Sequence, residues 1–397
     1  MKLAERVQRI QPSATLAITA RANALKAEGK DIIGFGAGEP DFDTPMNIKR
    51  AAIDAIHQGF TKYTPVAGTD ELREAIAEKF RRDNNLVYRK SQIVVSCGAK
   101  HSLANLSQVL FERGDEVIIP APYWVSYPDI VCLSDAEPVI VKTDETTNFK
   151  MTPGQLSESI TKRTKALILN SPSNPTGAVY TRDELAALAE IVLEHDMVVI
   201  SDDIYEHILY DDVPFCTIAN ISEEMKEKTI VVNGVSKTYA MTGWRIGYAA
   251  GPEEIMSQVA KVQSQNTSNP SSIAQKAALE AIRGGQDTVG IMVSEFQKRR
   301  DYIVAALNDI EGISCTMPAG AFYVFPTVSG LYGRSFRGTS ITNSTELAAW
   351  LLDDALVAVV PGAAFGSDAH MRLSYAASMA HIERGMERIS DAVNGLE

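Results

Sequence analysis

Cysteine is scarce: Cys97, Cys132, Cys216 and Cys315 are spread along 397 residues and form no C-x-x-C pair. A disulfide framework and a zinc site are both disfavoured, and a reducing compartment fits. Basic residues are in deficit, 38 against 50 acidic ones, for a formal charge of -12. That balance argues against nucleic acid or an anionic membrane surface as a partner, so any anion must be held by a few locally placed cations. The six histidines, His57, His101, His195, His207, His370 and His381, show no metal-ligand spacing, and no metal is expected. No apolar run reaches the length of a membrane span, and residues 1–30 interleave charged with apolar residues where a signal segment would be continuously apolar. The expectation is a cytoplasmic protein with no membrane span, no internal repeat and no low-complexity block.

What is present is an ordinary globular composition, 45% hydrophobic and 22% charged, on a chain long enough for two or three domains. Residues 1–11 read as an arm, 13–27 as a helix and 31–35 as a short strand. A helix over 44–58 starts with Pro45 at its first position, and a charged amphipathic helix covers 69–84. Apolar runs at 92–96, 116–119, 139–141, 166–169, 197–200 and 230–232 alternate with helical segments, one of them opened by the capping box Thr181-x-x-Glu184. This alternation predicts an α/β fold, a mainly parallel sheet covered by helices on both faces. Past Pro252 the pattern turns helical, at 271–282 and 286–310. Strands at 357–360 and 371–375, flanked by helices at 344–355 and 380–394, then form a smaller α+β unit. The expected division is a large domain over 45–285, with residues 1–44 and 286–397 supplying the N-terminal arm and the small domain.

In sheets of this kind ligands bind beyond the carboxyl ends of the strands. The unusual polar stretches fall there: Gly98-Ala99-Lys100, Asn170 to Gly177, Asp202-Asp203-Ile204-Tyr205, and Gly234 to Lys237 each follow an apolar run. Lys237 and Arg245, eight positions apart, combine an amine with an anion clamp. A lysine amine forms a Schiff base with an aldehyde once burial or a nearby cation lowers its pKa, and an arginine fork suits a phosphate dianion. Together they suggest a phosphate-bearing aldehyde, pyridoxal 5'-phosphate. The Gly98-Ala99 strand-to-helix turn offers free N–H groups at a positive helix end, a second anion site. The alternating glycines Gly34, Gly36 and Gly38 permit close backbone approach to a ligand.

Several motifs, taken jointly, resemble the class I pyridoxal-phosphate aminotransferases, and most of all the bacterial and plastid subgroup of aspartate aminotransferases. They are Pro12-Ser13-Ala14-Thr15, the run from Ala37 through Gly38-Glu39-Pro40-Asp41 to Pro45, Pro122 to Pro128 with Trp124 inside it, Asn174-Pro175-Thr176-Gly177, Ser236-Lys237, and Met371-Arg372-Leu373-Ser374-Tyr375. The match runs over nearly the whole chain. It implies the fold-type I architecture, with Lys237 holding the cofactor and moving the proton, Asp202 facing the pyridine nitrogen, and Tyr205 and Asn174 on the phenolic oxygen. Trp124 would stack on the ring. Gly98, Ala99, Lys100, Ser236 and Arg245 would line the phosphate end, and Tyr63 would reach it from a partner subunit, which implies a homodimer. Arg372 would clamp the substrate α-carboxylate, with the backbone of Gly38 beside it.

The activity this implies is ping-pong transfer of an amino group between a dicarboxylic amino acid, aspartate or glutamate, and a 2-oxo acid. Lys100 is then the cation for the distal carboxylate. Prephenate, which some relatives accept, has a side-chain carboxylate that could use the same lysine. A lyase or decarboxylase on the same fold would share the cofactor residues. A regulator built on an aminotransferase-like domain would need a DNA-binding segment, and the matching region already begins at residue 12.

Overall fold

The computed structural model describes residues 3–12 and 14–397; Met1 and Lys2 of the expected arm and Ser13, where the next helix was expected to begin, lie outside the described residues. Seven strands build the main sheet: β1 (Ile93–Ser96), β2 (Glu116–Ala121), β3 (Glu137–Lys142), β4 (Thr164–Asn170), β5 (Val198–Asp202), β6 (Thr229–Gly234) and β7 (Gly247–Ala250), in the spatial order β1-β7-β6-β5-β4-β2-β3. β7 is antiparallel to both its neighbours, and the other pairs are parallel. Parallel strands need cover on both faces, and β6 is buried along its whole length. Its side chains alternate: Val231 packs with helices α2 (Met46–His57), α3 (Asp70–Asn84) and α8 (Ser272–Arg283), whereas Ile230 and Val232 pack with α4 (Ala99–Leu110), α5 (Ser126–Leu133) and α7 (Glu253–Asn266).

Local chemistry sets the helix ends. Thr69 caps α3 by accepting the Leu72 N–H at 3.3 Å, and Asn85 closes it in the left-handed region. Both halves of the capping box form at α6 (Arg182–Leu193): Thr181 accepts from the Glu184 N–H at 3.3 Å and Glu184 from the Thr181 N–H at 2.8 Å. Pro45 is the N-cap of α2 and not its first helical residue; its extended ψ of 145° sets it just outside the helix.

The smaller unit is an antiparallel sheet of β8 (Tyr323–Val324), β9 (Val360–Pro361) and β10 (Met371–Ser374), ordered β9-β10-β8, packed with α9 (Asp287–Asn308), α10 (Ser344–Asp353) and α11 (Met379–Asn394). The single strand expected over 357–360 is split. Val357–Ala358 pairs in parallel with Ile33–Gly34, after which the chain changes partner and Val360–Pro361 joins β10. The core of this unit, with Phe296, Leu307, Leu351 and Leu373, also takes in Ile204, Tyr205 and Ile208 from the turn after β5. The strand ends of the large sheet therefore abut the small unit, and a cavity lies at that seam. Among the described residues, no helix is long and apolar enough to cross a membrane.

Candidate functional site

β4, β5 and β6 end side by side, with Asn170 paired to Asp202 and Asp202 to Val232. A cavity of about 270 Å³ opens beyond them. On its floor Asp202 is only 4% exposed, and its carboxylate accepts the Tyr127 hydroxyl at 2.7 Å and the Ile204 N–H at 3.3 Å. Burial pushes its pKa up to about 6 against the opposing pull of Tyr127, Ile204 and Lys237. At neutral pH it is a buried carboxylate, which calls for a cationic partner.

Lys237 lies in the turn that follows β6, and its Nζ donates to the Gly38 carbonyl at 2.5 Å. Burial lowers its pKa to about 8; Glu39 pulls it upward while Arg372 and Arg245 push it down. At neutral pH the free-amine fraction is therefore far larger than for a solvated lysine, as a nucleophile or proton acceptor requires.

Arg372, on the central strand β10, is buried between the rings of Tyr323 and Phe365, 4.6 and 4.9 Å from their centres. Its Nη1 donates to Asn174 Oδ1 at 3.0 Å and its Nη2 to the Gly36 carbonyl at 2.8 Å, while Nε is buried without a partner. Among the described residues, no carboxylate is bridged to it. A buried guanidinium with neutral partners and an orphaned donor can receive a carboxylate. The Asn174 N–H donates to Asn170 Oδ1 at 2.8 Å, and Asn170 Nδ2 to the Asp202 carbonyl at 2.8 Å, so a continuous chain of bonds joins Arg372 to Asp202. Tyr205 and Tyr323 share a hydroxyl–hydroxyl bond of 2.9 Å.

The other end of the cavity is cationic. Gly98 caps α4 at φ 92°, and a Cβ there would lie 2.2 Å from Arg245 Nη2, so only glycine admits the guanidinium. Arg245 donates to the carbonyls of Thr242 (2.9 Å) and Cys97 (3.3 Å), and among the described residues it meets no carboxylate. The N–H groups that open α4, at Ala99 and Lys100, have no acceptor within the helix. Lys100 reaches over the Trp124 ring at 4.8 Å. Burial and Arg245 lower its pKa, with Asp129 opposing.

Of the residues singled out from sequence, Gly38, Ala99, Lys100, Trp124, Asn174, Asp202, Tyr205, Ser236, Lys237, Arg245 and Arg372 line the cavity. Gly98 stands at its edge through Arg245. Tyr63 is not among the lining residues; its loop turns it outward, 91% exposed. Sequence reasoning gave Asn170 a place on the rim but no role, and assigned no role to Tyr127, Tyr323 or Thr242. Tyr127 had a usable signal, since it stands three residues after Trp124 at the start of a helix and shares its face. Tyr323 had none, because only the folding of the small unit brings it to Tyr205.

A cationic end, an amine of lowered pKa, a buried carboxylate and a buried arginine without a carboxylate partner thus surround one cavity. Residues 30–389 match the family described as aminotransferase class I and II, and the chain belongs to that family. It is 49% identical over 397 residues to the aspartate/prephenate aminotransferase of Nitrosomonas europaea, covering 99% of this chain and 100% of that protein. Among solved structures, it superimposes on the aspartate aminotransferase of Rhizobium meliloti with a TM-score of 0.97 at 48% identity, over the whole of both chains. The aspartate aminotransferase of Thermus thermophilus with maleate gives a TM-score of 0.93 at 43% identity, covering 98% of this chain and 99% of the other.

Proposed function

We propose that this protein is a pyridoxal-phosphate-dependent aminotransferase that moves the amino group of aspartate or glutamate to a 2-oxo acid. The observation that carries the reading is Lys237: a half-buried amine whose pKa is lowered to about 8, in the field of a buried carboxylate and two arginines. The residues suit the cofactor. The Gly98 turn is cleared of any Cβ for Arg245, and the amide end of α4 and the guanidinium of Arg245 converge as phosphate donors. When bound, the cofactor supplies an aldehyde that condenses with amines and a pyridine ring that draws electrons from the substrate α-carbon.

The chain's own part follows from its geometry. Ser236, Arg245 and the amides of Ala99 and Lys100 would hold the phosphate, and Trp124 would cover the ring. Asp202, fixed by Tyr127, would keep a proton on the ring nitrogen, and Tyr205 and Asn174 would bond the phenolic oxygen. Arg372 takes the substrate α-carboxylate with its free Nε and the edge of its fork. Lys237 Nζ, as a free amine, would accept the substrate α-proton and hand it back, for which a pKa of about 8 is well matched. Lys100, exposed at the mouth of the cavity and free of any carboxylate within salt-bridge distance among the described residues, receives the distal carboxylate, and maleate, named with the Thermus relative, is a ligand of that dicarboxylic kind.

A second reading adds prephenate as amino acceptor. It is favoured by the name of the Nitrosomonas relative and by the same lysine, which would serve the side-chain carboxylate of that acid. We further propose a cytoplasmic homodimer built from the 45–285 domain and the arm-plus-small domain of 1–44 and 286–397. Support for the dimer comes from the Tyr63 loop. Gln275 bonds Thr64 at 2.9 Å and Thr69 at 2.8 Å, Gln263 bonds the Val66 carbonyl at 2.8 Å, and Ser272 bonds that of Phe60 at 2.8 Å. An exposed tyrosine on so firmly pinned a loop is ready for a partner surface. The test is optical: the purified yellow protein should bleach with aspartate or glutamate and recover with a 2-oxo acid. A protein that keeps its colour with every amino acid, or that releases carbon dioxide, would refute the assignment.

A further inference from the structure

Behind the cavity lies a buried polar cluster that the mechanism above does not use. Glu206 directly follows Tyr205 and is almost completely buried. Its carboxylate receives three donors: the ammonium of Lys79, the Asn84 Nδ2 at 2.7 Å and the Asn233 Nδ2 at 2.7 Å. Lys79, itself buried on α3, also donates to Asn84 Oδ1 at 2.7 Å. Asn233 stands near the end of β6, and its Oδ1 accepts the Gly234 N–H at 2.7 Å, which fixes the peptide where the chain leaves the strand for Ser236 and Lys237. Neither Glu206 nor Asn233 lines the cavity. His207 Nε2 lies 3.5 Å from Glu206 and 3.4 Å from Asp83 at the edge of the cluster.

A buried ion pair of this kind contributes little net stability compared with well-packed apolar residues, so what it adds is geometry. The geometry here is specific. The turn bearing Tyr205 and the loop bearing Lys237 leave adjacent strands, and the side-chain bond from Asn233 to Glu206 crosses between them just beyond the last ladder pair, Asp202 with Val232. Beyond that pair the Asp203 N–H still donates to the Val232 carbonyl at 2.9 Å, and past it the bond from Asn233 to Glu206 is a side-chain link between turn and loop. We propose that Glu206 and Asn233 are positioning residues that lock the Tyr205 turn to the Lys237 loop, with Lys79 and Asn84 holding Glu206 ionised and in place. Glu206 is not among the largest contributors to the Lys237 pKa, so the main effect of the pair on that amine is through placement.

The inference rests on the aminotransferase reading, and its test separates the two. In the full chain without added cofactor, the pH midpoint for modification of Lys237 by an amine reagent, read by mass spectrometry of its peptide, reports the burial of the amine without any turnover. Asn233→Ala leaves Glu206 its bonds to Lys79 and Asn84 but cuts the link. Its midpoint should rise by about one unit toward that of a solvated lysine. In the cofactor-loaded enzyme kcat should fall roughly tenfold to a hundredfold, with KM changed by less than about threefold. Glu206→Gln keeps an acceptor facing Asn233 and should keep the wild-type midpoint. If Asn233→Ala does not fold, Asn233→Ser is measured in the same way. A folded Asn233 variant with the wild-type midpoint and kcat, whatever its Tm, would overturn the proposal. A wild-type chain that fails to transaminate would refute the functional reading, while the Lys237 midpoint would still decide the role of the pair.

Discussion

The two ends of the cavity are built on opposite principles. On the floor, Asp202, Tyr127, Asn170, Asn174 and Arg372 are bonded to one another in a continuous chain, so their positions are set before any ligand enters. At the outer end Arg245 and Lys100 meet backbone carbonyls, an aromatic face and solvent, but among the described residues no carboxylate in salt-bridge contact. Preorganised groups stabilise developing charge without reorganising at the moment of reaction, whereas unpaired cations bind charge that the ligand brings with it. On the proposed reading the floor sets the chemistry and, through Arg372, holds the α-carboxylate, while the outer end binds the charge at the far ends of the ligands.

The largest test of that division is Lys237→Ala. Transamination should fall by on the order of 10⁴-fold or more, while circular dichroism and Tm stay close to wild type, because among the described residues the Lys237 Nζ hydrogen-bonds the Gly38 carbonyl alone. Recovery of more than a trace of activity would move the essential amine elsewhere.

At the outer end, Lys100→Ala should cost roughly tenfold to a hundredfold in kcat/KM for aspartate and glutamate, the value of one charge-assisted hydrogen bond, and should barely change alanine. Prephenate as acceptor should suffer with the dicarboxylates if it uses the same cation. Equal losses on all substrates would mean that Lys100 serves the cofactor or the fold, and the contrast between the two ends would fail at that residue.

How far the sequence reveals these two ends differs, and the reason is physical. Groups at strand ends were legible: Lys237, Asp202, Asn174 and the Gly98 turn each follow an apolar run, and parallel-sheet topology sends all such ends to one rim. Six strands of the main sheet were legible for the same reason, since buried strands read as unbroken apolar runs, whereas β7, the short Gly247–Ala250, was not foreseen. Groups that meet only through tertiary packing were not. Tyr323 reaches Tyr205 across a separation of 118 residues, and Glu206 looks like a surface acid beside a tyrosine until α3 delivers Lys79 to it. The strand expected over 357–360 failed similarly, because a change of partner in mid-strand leaves no mark on an apolar run. Arg372 was singled out by the motif Met371 to Tyr375, and the central place of β10 accounts for its burial.

A smaller effect extends the contrast beyond one chain. If Tyr63 completes the phosphate end of a partner's site, Tyr63→Phe should weaken each site severalfold, the scale of one hydrogen bond to a charged group. Mixed with inactive Lys237→Ala chains and allowed to exchange subunits, it should form heterodimers that carry one intact site. Activity above that of the Tyr63→Phe protein alone, after exchange verified by native mass spectrometry, is the expected result; no gain would confine the site to a single chain.

The smallest effect concerns what the preassembled floor costs the fold. The pKa of Asp202 rises from 3.8 to about 6 in the folded chain because burial disfavours its charge. Below pH 3.8 both folded and unfolded chains hold the proton, and the carboxyl carries no penalty. Between pH 3.8 and 6 the folded chain binds more protons than the unfolded one, so stability falls as pH rises; above pH 6 both are ionised and the full penalty, about 3 kcal/mol, remains. Asp202→Asn keeps an oxygen for the Tyr127 hydroxyl and removes the charge. The cofactor-free variant should therefore melt a few degrees above wild type at pH 7.5, a modest shift because the unfolding entropy of so long a chain is large. The difference should shrink steadily toward pH 4. A variant that is less stable at pH 7.5, or whose advantage does not depend on pH, would mean that the Asp202 charge is compensated within the floor itself, and that the floor is as relaxed as the outer end.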